Sequence, residues 1–108
     1  MKVEILKNGT STTLKIKERK LDSSVSPELK GEFLLICKPK VETLIIDLAE
    51  VEFCDSSGLS ALLIADRKMK EHGGMVKLVN VHKKVVSLLK ISMLDRVFNI
   101  EETTAAKH

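Results

Sequence analysis

Two hydroxyls, a carboxylate and a glycine stand side by side in Phe53-Cys54-Asp55-Ser56-Ser57-Gly58-Leu59. The run follows Leu44-Ile45-Ile46-Asp47-Leu48, which reads as a β-strand, and precedes Ser60-Ala61-Leu62-Leu63-Ile64-Ala65, which reads as helix. A short polar turn at a helix N-terminus offers hydroxyls and unpaired backbone N–H groups. That combination suits an anion, above all a phosphate, and asks for no catalytic machinery. Ser56 reads in two compatible ways. As an N-cap its oxygen accepts a backbone N–H of the following helix, worth about 1 kcal/mol. As a phosphorylation site it gains about −1.5 to −2 charges facing the positive helix end, so the fold survives. An interface built around the turn would then bury uncompensated charge, which costs several kcal/mol. The outcome is a contact switch without refolding.

The neighbours of Ser56 carry the same double reading. Asp55 is favourable at a helix N-terminus as a plain electrostatic matter, and it can also orient the hydroxyl or face a partner's Mg²⁺-nucleotide site. Asp22 can close its loop by an Asx turn or line the same surface as Ser56. Ala61, Leu62, Ala65 and Met69 form an apolar stripe at helical spacing, with Leu59 and Leu63 to its side. Those two leucines read as core edge or, if partly exposed, as the apolar anchor of an interface.

Enzymatic readings find little to stand on. A catalytic serine needs a base in reach and a group that orients the base. His72, His82 and His108 fall in no local pattern that supplies one, and they read as surface residues. No metal-ligand spacing and no phosphate-cradling glycine loop occurs, so no metal and no cofactor is expected.

Composition narrows the class. With 108 residues and 44% hydrophobic content, one compact domain over 1–108 is expected. Charges interrupt every apolar run, and the N-terminus lacks the long apolar region of a signal peptide. Cys37 and Cys54 have no CxxC partner and read as reduced core thiols. A cytoplasmic protein without membrane insertion is expected. The net charge is +3, but lysines and acids are interspersed, aromatics make up 3%, and Trp and Tyr are absent. Nucleic acid is therefore not an expected partner.

The elements that must hold the turn follow from periodicity. Val3–Lys7 and Thr12–Lys17 read as a hairpin around Asn8-Gly9. Glu18–Val25 reads as loop. Ser26 reads as an N-cap with Pro27 at the first helical position, opening a helix about Pro27–Cys37 that Pro39 ends. Thr43–Leu48 is apolar almost throughout, as in a strand covered on both faces or central in a sheet. A helix about Ser57–His72 is stopped by Gly73-Gly74, and strand Met75–Val79 follows. Helix His82–Leu89, strand Val97–Ile100 and a frayed turn or helix stub over 101–108 complete the chain. Alternating helices and strands favour parallel neighbours joined by right-handed crossovers. The expected class is an α/β sandwich of a mixed, mostly parallel sheet with helices packed on it.

These residues also carry a resemblance. The stretch from Leu44-Ile45-Ile46-Asp47-Leu48 through Asp55-Ser56-Ser57-Gly58-Leu59 closely resembles the STAS domain of bacterial anti-sigma factor antagonists. Gly73–Asn80 and Val85–Phe98 match in order and spacing, and Leu21-Asp22 resembles the family's Leu-Asp after its second strand. The family often has glycine shortly before that Leu-Asp, where this chain has Glu18-Arg19-Lys20, and glycine is common where Met93 stands. The resemblance implies a STAS-like fold and a partner-switching mechanism. The unphosphorylated protein would bind an anti-sigma factor, a serine kinase of the histidine-kinase-like ATPase type, and so release a sigma factor for transcription. The kinase would phosphorylate Ser56, with Ser57 the less favoured acceptor, and a phosphatase would reset the switch. Asp22, Asp55, Ser57, Gly58, Leu59 and Leu63 are the implied partner-binding residues. The same domain occurs in lipid-transport systems, so the alternative is a subunit of an ABC-type lipid-transport complex that binds its membrane ATPase assembly.

Overall fold

The computed structural model describes residues 1–102. Along the chain run β1 (Val3–Asn8), β2 (Ser11–Ile16), β3 (Lys20–Leu21), α1 (Ser26–Ile36), β4 (Thr43–Asp47) and β5 (Phe53–Cys54). Then come α2 (Ser56–Lys70), β6 (Met75–Val81), α3 (Lys83–Ile91), a 3₁₀ turn at Leu94–Arg96, and β7 (Asn99–Glu102). Five strands form one sheet in the order β1-β2-β4-β6-β7, and β3 and β5 pair separately. Only β1–β2 is antiparallel; β2–β4, β4–β6 and β6–β7 are parallel. The result is the expected mixed, mostly parallel α/β architecture.

The hairpin forms where Asn8-Gly9 indicates it. Asn8 pairs with Ser11 across a two-residue loop, and Gly9 takes φ 63° in the first loop position, where a side chain would be strained. Thr43–Asp47 lies at the centre of the sheet, but only one of its faces is deeply covered. Leu44 and Ile46, with Leu48 just beyond the strand, are fully buried, whereas Thr43, Ile45 and Asp47 are half-buried. Register extends this pattern sideways: Leu14, Ile46 and Leu78 are aligned and all fully buried. Onto that face the helices bring Leu29 and Phe33 from α1, Leu62 and Met69 from α2, and Leu89 from α3. Burial of this apolar surface is the main source of stability.

Several boundaries move for identifiable reasons. Ser26 is not the N-cap of α1: Val25 occupies that position, Ser26 is the first helical residue and buried, and Pro27 follows it. The preceding loop has already satisfied the helix end, since Asp22 O accepts the N–H groups of Val25 and Ser26 at 3.1 and 3.0 Å. The segment expected as loop over Glu18–Val25 contains β3, and the last strand starts at Asn99, because Val97 and Phe98 follow the 3₁₀ turn and Phe98 joins the core. Gly73 ends α2 as expected, at φ 77°, with Gly74 N–H donating to Met69 O at 2.8 Å. Met93 takes φ 61° at an exposed turn, a conformation that favours glycine. The turn or stub expected over 101–108 gives way to strand at Glu101 and Glu102, and its remainder lies outside the described residues.

Candidate functional site

The two-residue ladder between β3 and β5 builds the site. Glu52 and Phe53 donate their backbone N–H groups to Arg19 O at 2.8 and 3.1 Å, and Asp55 N–H donates to Leu21 O at 3.1 Å. Lys20 pairs with Phe53 and Leu21 with Cys54. This ladder draws the Leu21-Asp22 segment against the turn at Asp55, a juxtaposition that 33 residues of separation conceal.

Asp55, rather than Ser56, caps α2. Its Oδ1 accepts the N–H of Ser57 at 2.9 Å and of Gly58 at 3.2 Å, with Asp55 itself in extended backbone. A carboxylate offers full negative charge to the positive helix end, so it outcompetes a neutral hydroxyl one residue later. Ser56 is thereby displaced to the first helical position, exposed, with its hydroxyl not needed for capping. Ser57 is half-buried behind it.

Gly58 is buried where α2 crosses β3. A Cβ there would stand 2.7 Å from both Cys54 Sγ and Leu21 Cβ, and closer still to the Leu21 carbonyl oxygen. Of the two leucines, Leu59 is 8% exposed and belongs to the core cluster, while Leu63 is 36% exposed. Ser56, Ser60 and Leu63 therefore share the outer face of α2. Asp22, which follows Leu21 of the ladder, closes its loop as an Asx turn: its Oδ1 accepts the Ser24 N–H at 2.9 Å and the Ser24 hydroxyl at 2.5 Å. Those bonds from Ser24, with Lys20 nearby, hold its carboxyl below the usual carboxylate range. Phe53, absent from the expected contact residues, lies half exposed beside the turn. Its signal in the sequence is its place in strand alternation, one residue before buried Cys54.

The potential bases are engaged elsewhere. His72 Nε2 lies 2.8 Å from Val41 O, and His82 Nε2 lies 2.5 Å from Ala49 O, so each ring donates to a carbonyl. Both imidazoles are half-buried rather than on the surface. Among the described residues no three His, Cys, Asp or Glu side chains gather as a metal site. Burial pushes the Cys54 thiol up to about 12, with Asp55 adding to the shift, and burial pushes the half-buried Cys37 thiol up to about 11. Since the thiolate is the reactive form, native protein at pH 8 should resist thiol-disulfide reagents, Cys54 more than Cys37, until denaturant is added. Both pKa values are raised from 9.0 in the folded state, so the stability these thiols lend is complete below pH 9 and falls as pH rises through about 11 and 12. Ellman titration with and without denaturant, and melts from pH 8 to 11, test this.

Asp55→Ala should cost about 1–2 kcal/mol by orphaning two N–H groups, whereas Asp55→Asn should keep most of the cap. Thermal melts should show the alanine variant lower by about 4–16 °C. Equal melting of alanine variant and wild type would mean that the cap contributes nothing.

Fold and site thus define an α/β domain that presents an exposed serine at an aspartate-capped helix end. The chain belongs to the STAS domain family, whose model matches residues 3–106. Solved structures agree on the fold. An anti-sigma factor antagonist from Mycobacterium paratuberculosis superposes with TM-score 0.82 at 20% identity, over 97% of this chain and 88% of that one. The Bacillus cell fate determinant SpoIIAA, in its phosphorylated form, superposes with TM-score 0.73 at 16% identity, over 98% and 96%. A sulfate transporter family protein from Wolinella succinogenes superposes with TM-score 0.74 at 16% identity, over 89% and 80%. Among the described residues no helix is long and apolar enough to cross a membrane.

Proposed function

We propose that this chain is an anti-sigma factor antagonist, a single domain over 1–108 that acts in the cytoplasm through binding and has no catalysis of its own. Its unphosphorylated form binds an anti-sigma factor serine kinase of the histidine-kinase-like ATPase type and so releases a sigma factor. Phosphorylation of Ser56 ends the contact, and a phosphatase restores it. One observation carries the reading: Ser56 is exposed at the first position of α2 while Asp55 does the capping, so the hydroxyl is available for modification. The contact surface is Ser56 with Asp22, Asp55, Ser57 and Leu63, while Gly58 and Leu59 hold the helix end in place. Likeness to a SpoIIAA solved in its phosphorylated form supports the same reading.

The test is a pull-down from the native host with Ser56→Ala as bait, then incubation of wild-type chain with the captured kinase and ATP. Phosphate should map to Ser56. Phosphate on Ser57 or elsewhere, with Ser56 bare, overturns the assignment. Native-fold-dependent labelling of Ser56 by a fluorophosphonate would instead indicate a hydrolase. One rival is a subunit of an ABC-type lipid-transport complex; the likeness to a sulfate transporter family protein shows only that this fold also occurs in transport proteins. Co-purification with a membrane ATPase in place of the kinase would establish that rival.

A further inference from the structure

The short strand that leads into the Asp55 turn leaves one large apolar side chain outside. Cys54 points into the core, so the pleat turns Phe53 outward, where it is 50% exposed. Its register partner is Lys20, and Lys84 from α3 lines the same cleft of about 240 Å³ with Arg19 and Glu52. A second cleft, about 450 Å³, shares Glu52 and Lys84 and continues to His82 and Lys83. The one carboxylate here, Glu52, is paired with Arg19 at 3.3 Å. Among the described residues, ion pairs join Lys15, Lys17, Lys68, Lys70 and Lys77 to carboxylates, and Lys20, Lys83 and Lys84 are among the lysines that form none. An aromatic ring in a concave surface bordered by Lys20 and Lys84 is a place for an apolar side chain flanked by acids.

We propose that Phe53, with Lys20 and Lys84 beside it, docks a segment of the partner kinase that carries an apolar side chain among Asp and Glu residues. The dock is separate from the Ser56 switch and sets which kinase is recognised. It rests on the reading above for the partner being a kinase, whereas the chemistry of the segment comes from the patch. A peptide fits better than nucleic acid, because Phe53 is the sole exposed aromatic of the described residues and Glu52 interrupts the basic track.

The test places the photo-crosslinking amino acid p-benzoylphenylalanine at position 53, and separately at position 63, in the full chain expressed in its native cells. Crosslinked peptides are sequenced by mass spectrometry, in the wild-type and Ser56→Ala backgrounds. Position 53 should crosslink to one acidic segment with an apolar residue, and should do so with Ser56→Ala as well. Lys20→Glu with Lys84→Glu should lower that crosslink about tenfold, with thermal melting unchanged because both side chains are exposed. Crosslinking at 63 but not at 53 overturns the dock and leaves the switch standing. Crosslinks at 53 to nucleic acid, to a second copy or to a segment without acids, or crosslinks indifferent to the charge reversal, also overturn it. An acidic crosslink at 53 combined with a phosphosite elsewhere than Ser56 supports the dock and sinks the switch. Silence at both positions overturns both.

Discussion

Phosphate on Ser56 should lower the affinity of this chain for its kinase by about a thousandfold while leaving its melting temperature within a few degrees of the unmodified protein. The two halves of that expectation come from opposite faces of one helix end. Toward the protein, the phosphate meets the N-terminus of α2, where an anion gains about 0.3–1 kcal/mol. The Asp55 carboxylate, already held by the Ser57 and Gly58 N–H groups, adds repulsion that offsets part of the gain. Toward a partner, the exposed hydroxyl becomes a group of about two negative charges. Closing an interface over it leaves buried charge without a counterion, at about 3–5 kcal/mol, and each 1.4 kcal/mol is tenfold in affinity. Ser56→Asp should weaken binding less than phosphate does, since it carries one charge and fewer acceptors. Ser56→Ala should bind persistently, and it should fold as wild type does, because the cap belongs to Asp55 rather than to the serine. Calorimetric titration against the kinase, with parallel melts, reads both quantities. Wild-type affinity of Ser56→Asp would mean that charge at this turn is not the switch.

The features read directly from sequence are those fixed by local chemistry. Asn8-Gly9 specifies a hairpin, Gly73-Gly74 a helix stop, and the apolar run Thr43–Leu48 a central strand, each because a few adjacent residues suffice. The features that escape are set by distant partners. β3 is two residues long and exists only because Arg19 O and Leu21 O receive N–H groups from Glu52, Phe53 and Asp55. No periodicity can announce a strand so short. The cap of α2, expected at Ser56, falls instead to Asp55, because Asp55 and Ser56 are both good N-caps and the carboxylate brings the full negative charge that the helix end favours. Displacing the cap by one residue changes the chemistry, because it turns Ser56 from a capping acceptor into an exposed hydroxyl free of that bond. Phe53 shows the same dependence, since its outward direction follows from the Leu21–Cys54 pairing. Partner identity lies in surface chemistry that only such pairings assemble.

The same crossing makes Gly58 the position where a small change should do the most damage to the fold. Gly58→Val should destabilise by about 3 kcal/mol or more, and Gly58→Ala by about 2 kcal/mol. Helix propensity alone argues the reverse, because glycine costs about 1 kcal/mol against alanine inside a helix. Gly31 in α1 shows what that preference does without a neighbour: nothing lies within 4 Å of a Cβ built there, so Gly31→Ala should stabilise by about 0.5–1 kcal/mol. At Gly58 the added carbon would press on the Leu21 carbonyl oxygen and stand 2.7 Å from Cys54 Sγ. Both belong to the β3–β5 ladder, which has little freedom to retreat because Leu21 and Cys54 are packed in the core. The strain should therefore be relieved by parting α2 from β3, moving the Asp22 loop away from the Ser56 turn. Thermal melts of Gly58→Ala and Gly31→Ala should shift in opposite directions, and hydrogen exchange in Gly58→Ala should quicken first at Asp55, whose N–H bonds to Leu21 O. Stabilisation by both alanines would mean that α2 does not approach β3 this closely, and with it would go the geometry that draws Leu21 against the Asp55 turn.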